Sequence, residues 1–420
     1  MTEKLLQFIW QFGYFNQNAL CTTKGEKVQI ISTGNVNKNG GPDFLNARIK
    51  INETVLAGSV ELHIKTSDWN KHGHTGHGQY KNVILHVVYE HDKVIENGVS
   101  VLPVENRISK LLLDYYTQLM QGAHFIPCAA AIHEVNELTW LSWKERLLAE
   151  RLTRKAQNIF AYLKATKDHW EESFWWLLAR NFGMQVNADA FELLAKSISI
   201  NTLAKHKSSI HQLEALLFGQ AGLLQAEYKD EYVKLLKREY LFLQRKYHLQ
   251  PIFMPLQFLR MRPQNFPTIR LAQLAMLVHS VTHLFSLIKE TEAVETIRNC
   301  FDITANDYWH YRYRFDEPSA YKPKRLGSSM IDTILINTVI PVLFAYSKYT
   351  GQEHYKTKAL RWLEKIKAET NAITTGFKNF SVPSESAYDT QALLELKNGY
   401  CNLKRCLECS VGNALLKRSV

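Results

Sequence analysis

Two hydrophobic rhythms divide the chain. At the start, Leu5, Leu6, Ile9, Trp10 and Phe12 form an apolar stripe that predicts a helix over residues 1–20. From Lys27 the period shortens to two, and strands are expected over 27–32, 46–52, 55–65, 82–90 and 99–104. In the fourth of these, Val83, Leu85, Val87 and Tyr89 fall on one face and Ile84, His86 and Val88 on the other. Both faces are largely apolar, which places the strand inside a sheet rather than at its edge. The Gly- and Asn-rich stretch from Thr33 to Gly41 has the composition of a tight turn.

From about residue 106 the period becomes helical. Asn136 can cap a helix through 165, in which Leu141, Leu148, Leu152, Ile159 and Leu163 recur at helical spacing. Further helices are expected over 168–183, 188–199, 210–226, 229–247, 268–289, 329–347, 351–370 and 386–398. Pro251, Pro255, Pro263 and Pro267 keep one connection irregular. No fixed-period repeat argues for a solenoid. The expected fold class is α+β and multidomain: a small N-terminal α/β module with a mixed sheet (residues 1–105), then a large all-helical domain (residues 106–420).

Composition adds a bias of charge. The 420 residues are 46% hydrophobic and 22% charged, as in ordinary globular proteins. Residues 1–105 hold as many Lys and Arg as Asp and Glu, so the net charge of +11 arises beyond them. A basic helical body beside a neutral, acid-bearing module suits a polyanion, and nucleic acid is the expected partner; a Lys-rich solvated surface is the ordinary alternative. Met1–Trp10 lacks the basic start and cleavage site of a signal peptide, and no apolar run of membrane-spanning length is read from the sequence. A cytoplasmic protein with no membrane partner is expected.

The candidate chemistry begins at Gly41-Pro42-Asp43-Phe44 and at Glu61-Leu62-His63-Ile64-Lys65. Alternation along a strand puts Glu61, His63 and Lys65 on one face, within reach of Asp43 if the neighbouring strand runs beside it. Two carboxylates with a nitrogen base beside them suit a divalent-metal phosphodiesterase. Asp43 and Glu61 are expected to hold magnesium or manganese, with His63 orienting or activating water and Lys65 assisting. A turn-capping Asp and a solvent-facing strand Glu are the commonplace reading. The arrangement resembles the PD-(D/E)xK phosphodiesterase superfamily, in which an Asp and a Glu on adjacent strands bind the metal and a Lys follows the Glu by two residues. That resemblance implies a restriction-endonuclease-like fold for residues 1–105. His63 stands in the Lys position, and a neutral imidazole does not supply a permanent point charge.

His72, His74 and His77 form, with Tyr80 and His86, the densest imidazole cluster and can bind zinc or line a phosphate loop. Asp68-Trp69 is expected to anchor that loop. Of six cysteines, Cys401, Cys406 and Cys409 crowd the C-terminal end. Their spacing points to metal, with Cys128 the first candidate for a fourth ligand; zinc and an iron–sulfur cluster both remain open. RecB-type nucleases with a distant Cys and a C-terminal Cys triplet are broadly similar in this respect.

In the helical part, Glu214 lies among apolar residues, and Arg260, Arg262 and Arg270 are its expected partners. His310–Phe315 interleaves bases and aromatics, a pattern suited to single-stranded nucleic acid or to an amphipathic packed segment. Taken with Ser67-Asp68-Trp69, Val83–Val88, Phe218–Gly222, Arg262–Arg270 and Tyr400–Gly412, these motifs resemble a bacterial family of unknown function, domain of unknown function 2851. Three functions are open: a metal-dependent nuclease, a non-catalytic nucleic-acid or protein-binding scaffold with a nuclease-like fold, and a histidine-metal hydrolase of a small substrate built on His72, His74 and His77.

Overall fold

The structure, a computed structural model, describes residues 1–418 apart from 38, 75, 76, 97, 122, 123 and 282. Helix α1 (Glu3–Phe12) starts where the Thr2 hydroxyl accepts the Leu5 N–H and stops at Gly13, whose φ of 66° is left-handed. The helix expected through residue 20 therefore ends earlier, and Leu20–Cys21 begins the sheet instead. Leu5, Leu6, Phe8, Ile9 and Trp10 are buried in the core that lies over the sheet. Each contributes roughly 1.5–3 kcal/mol as an upper figure.

The sheet contains seven strands, five of them close to expectation: β1 (Leu20–Cys21), β2 (Lys27–Ser32), β3 (Asn35–Val36), β4 (Phe44–Ile51), β5 (Thr54–Lys65), β6 (Val83–Glu90) and β7 (Ser100–Pro103). Their order is β1-β2-β4-β5-β6-β7, with the short β3 also on β4. β4 and β5 form an antiparallel pair, whereas β5–β6 and β6–β7 are parallel. The mixed sheet thus changes direction at β5. A parallel neighbour demands a crossover, and the segment between β5 and β6 supplies it, carrying the one-turn helix α2 (Asp68–Lys71) and the histidine loop. Val60, Leu62, Leu85, Val87 and Leu102 join α1 in the core, so the other face of β5 and β6 presents Glu61, His63 and His86.

Two compact units result. The first comprises Met1–Glu145, Gly376–Val382 and Glu395–Val420; the second comprises Arg146–Thr375 and Pro383–Leu394. The division does not fall at 105/106, because helix α3 (Lys110–Gln121) and the C-terminal segment pack with the sheet. Leu112, Leu119, Cys406 and Leu416 share its core. Phe125 packs against Phe377 and Phe380 within this unit, and Arg418 pairs with Glu134.

The second unit is mainly helical, but the expectation of an all-helical domain fails at a two-stranded antiparallel sheet, Arg312–Arg314 with Glu317–Pro318, where the chain reverses through Asp316 at φ 55°. The run expected over 268–289 is two helices, Pro267–Ser280 and Leu284–Glu290, the second preceded by His283 at φ 52°. The run expected over 329–347 extends over Ser328–Thr350, with a π-helical turn at Leu335–Val339 just before Pro341. This helix is long and apolar enough to cross a membrane, contrary to the sequence expectation, and most of it is buried inside the structure. His310–Phe315 packs within the unit: Arg312 pairs with Asp230 and lies over Tyr308, and Arg314 lies over Phe258 and Phe266.

Glu214 does not meet the expected arginines. The Tyr232 hydroxyl donates to it at 2.6 Å and the Trp309 indole N–H at 3.1 Å, while Arg270 donates to the amide oxygens of Gln273 and Asn265. Burial pushes the Glu214 carboxyl up from 4.5 to about 8, against the pull of its two donors. Between those values the folded state keeps a proton that the unfolded chain has lost, so stability falls as pH rises through that window and levels off above it. Glu214→Gln is expected to remove this slope, which is on the order of a few kcal/mol across the window. Urea unfolding on either side of the window checks it; an unchanged slope in the variant would assign the pH dependence elsewhere.

Candidate metal centre

The site is built where β5 changes partners. Gly41, at φ 110°, turns the chain in a conformation that side chains with a Cβ rarely adopt, and Pro42 delivers Asp43 to the start of β4. A bulge follows: Phe44 pairs with Val60 but Ala47 with Gly58, with Asn46 at φ 59° between them. Asp43 is thereby fixed against Glu61. Its backbone N–H donates to Glu61 Oε2 at 3.1 Å, and its own Oδ2 accepts the Leu62 N–H at 2.9 Å. The other carboxylate oxygen accepts the Gln7 side-chain amide of α1 at 2.7 Å.

Glu61 Oε1 faces the histidines. It lies 3.1 Å from His74 Nε2 and 3.6 Å from His63 Nε2, which is itself 3.1 Å from His72 Nδ1. One nitrogen from each of His63, His72 and His74 falls within 4.8 Å of the others. Tetrahedral zinc with nitrogen bonds of 2.0–2.1 Å sets its ligand atoms about 3.3 Å apart, and the observed spacings bracket that figure. His74 Nε2 is buried and, although 3.1 Å from Glu61 Oε1, makes no hydrogen bond among the described residues. A buried nitrogen aimed at a carboxylate without bonding to it is the donor a cation would satisfy.

The outer contacts orient these ligands. His63 Nδ1 lies 2.9 Å from His86 Nε2, the contact expected behind a metal-bound imidazole. Glu61 and His86 are register partners on parallel strands. Trp69, buried on α2, packs edge-on to His63 and His74, and Tyr80 stacks on His74 at 3.9 Å between centroids. The expectation that Trp69 anchors the loop agrees with these contacts. Burial lowers His63 to about 4 and His86 to about 3, and also lowers His74. These imidazoles are neutral near neutral pH, the form that ligates. Burial raises Asp43 to about 6; burial and then the Asp43 charge raise Glu61 to about 8.

Asp43, Glu61 and His63 therefore come together with His72 and His74. Lys65 sits at the end of β5, where its ammonium pairs with Glu90 at 3.3 Å and its backbone N–H donates to Asp68. His77 is exposed beside Tyr80 and lies outside the three-nitrogen group. Gln7 and the ligand-supporting role of His86 were not assigned from the sequence. Alternation placed His86 on one face of its strand with Ile84 and Val88, which gave it no role, and nothing marked Gln7, because its role depends on how α1 lies on the sheet.

The fold and these residues define an α+β protein with a mixed N-terminal sheet, a large helical region and a histidine–carboxylate constellation that can hold a metal. Residues 3–372 match the model of a family described as a protein of unknown function, DUF2851, and the chain belongs to that family. No curated protein and no solved structure matches it.

Metal-free protein titrated with zinc or manganese is expected to bind one equivalent at this centre. His72→Ala and His74→Ala should weaken binding by about 10–100-fold or more, and His77→Ala should leave it nearly unchanged. Calorimetry distinguishes these outcomes; equal affinity in all three variants would remove the centre.

Proposed function

We propose that this protein is a metal-dependent phosphodiesterase acting on nucleic acid, with its centre at His63, His72, His74 and Glu61. The observation that carries the reading is that one nitrogen from each of His63, His72 and His74 lies within 4.8 Å of the others, with Glu61 Oε1 3.1 Å from His74 Nε2 and 3.6 Å from His63 Nε2. A nitrogen-rich set favours zinc, manganese or iron over magnesium, which takes oxygen ligands. Held by His63, His72 and His74, such an ion would make a water more acidic near neutral pH and would offset charge on a phosphoryl oxygen. Asp43, locked by Gln7 and the Leu62 N–H, holds Glu61 through its own backbone N–H. His86 orients His63 from behind. An acid just before β4 and an acid on its antiparallel neighbour β5, followed by a parallel strand, support the nuclease resemblance, and the net charge of +11 suits a polyanionic substrate. A second reading, hydrolysis of a small phosphate ester, is favoured by the burial of Glu61, His63 and His74, which leaves His72 as the exposed member.

The test is cleavage of linear, circular and single-stranded DNA, of RNA and of bis(p-nitrophenyl) phosphate with manganese or zinc. The wild type is expected to cleave nucleic acid, and Glu61→Gln and His74→Ala to lower kcat/KM by about 100-fold or more. Cleavage of the small ester alone would select the second reading. Equal turnover in wild type and variants would sink both, and salt-sensitive binding without turnover would point to a scaffold.

A further inference from the structure

Four cysteines in the first unit have no part in the histidine centre. Cys128 lies in the loop after α3, Cys401 ends the π-helical turn Leu396–Cys401, and Cys406 begins the 3-10 turn Cys406–Glu408. Cys409 directly precedes the helix Ser410–Lys417. Although 273 positions separate the first from the second in sequence (128 to 401), all four line one small cavity, together with Pro127, Tyr400, Arg405 and Gly412. All four are free thiols. Cys21 and Cys300, the other two cysteines, do not line this cavity.

Four sulfurs and no oxygen or imidazole ligand make a soft donor set, which selects zinc or an iron–sulfur cluster. Spacing decides between them. One tetrahedral zinc with bonds of about 2.3 Å draws its sulfurs to about 3.8 Å from each other. Among the described residues, the group whose ligand atoms all lie within 4.8 Å of one another is His63, His72 and His74, and the cysteines do not form such a group. A four-iron cube, each corner bound by one thiolate, spreads its sulfurs wider than a single ion does. We infer that Cys128, Cys401, Cys406 and Cys409 hold a four-iron, four-sulfide cluster that pins the C-terminal segment to the loop after α3.

The surroundings fit thiolates. At Cys409 the backbone N–H groups of Gly412 and Val411 donate to the sulfur. Convergent N–H donors at a sulfur stabilise its anionic form and are a feature of cluster sites. The Arg405 guanidinium lies over the Tyr400 ring at the same cavity. Gly412 lets the last helix approach, since a Cβ there would meet the Cys406 carbonyl oxygen at 2.2 Å. Three of the four cysteines also lie beyond residues 3–372, the part of the chain that the family model matches.

This inference is independent of the proposed hydrolysis, and its test needs no activity. The full chain, purified anaerobically, is expected to contain about four iron and four labile sulfide per chain and to show the broad visible absorption of such a cluster. Cys128→Ser and Cys401→Ser should lose most of both. Cys21→Ser, Cys300→Ser and the histidine-centre variant His74→Ala should keep them. Folded wild-type protein without iron and sulfide would overturn the inference, as would zinc that survives His74→Ala but is lost in Cys401→Ser. Iron and sulfide unchanged in Cys128→Ser would do the same. Should the serine variants fail to fold, iron and sulfide in the wild type and in His74→Ala decide the question.

Discussion

The structure depends on one strand being buried on both faces with opposite chemistry. β5 sends Val60 and Leu62 into the apolar core under α1 and sends Glu61 and His63 to the other side, where both are almost fully buried. Leaving a buried carboxylate and imidazole without partners would cost roughly 1–3 kcal/mol each, and more where a charge is retained. The surrounding elements are arranged to avoid that cost. The bulge in β4 brings the Asp43 N–H to one oxygen of Glu61, β6 brings His86 to His63, and the crossover returns His72 and His74 over the same face. Among the described residues, the buried His74 Nε2 and His86 Nδ1 are left without a hydrogen-bond partner, and the first of these faces Glu61 in the candidate metal centre.

The change from antiparallel to parallel pairing at β5 makes this arrangement possible. A hairpin joins β4 to β5 and keeps the two acids on neighbouring strands, whereas the parallel partner β6 needs a connection long enough to cross over. That connection contributes Trp69, His72 and His74. Trp69 is its fixed point, because a buried indole packed against two of the imidazoles leaves the loop few alternatives. The two clusters of metal-ligating residues follow the same principle at different scales. Three histidines that could hold a metal are gathered within a short stretch by strand pairing and one crossover, while the four cysteines are gathered from distant parts of the chain by packing of the C-terminal segment on the sheet unit.

Much of the fold was legible residue by residue. Alternation located five of the seven strands within a few residues and identified both faces of β6, because a half-buried or fully buried strand writes its environment into its sequence. The expected helix over 1–20 overran because apolar spacing alone does not register Gly13, where a left-handed turn ends the helix. Glu214 shows the same limit. An acid among apolar residues announced its need for a partner, but periodicity could not say which; Tyr232 and Trp309 filled that need in place of the expected arginines.

By itself the sequence determined the residue types and their local direction: Glu61 and His63 two apart on one strand face, Asp43 after a Gly-Pro turn, a histidine-rich crossover and three closely spaced C-terminal cysteines. Those statements depend on periodicity and backbone chemistry, which act over a few residues. Tertiary structure alone decided that His63 joins His72 and His74 while His77 stays outside, and that Lys65 turns to Glu90. It also decided that Gln7 braces Asp43 and that Cys128 meets the C-terminal triplet. Each of these outcomes depends on the register between strands or on which surfaces cover each other. Such distances are set by the packing of the whole unit and leave no local trace in the chain.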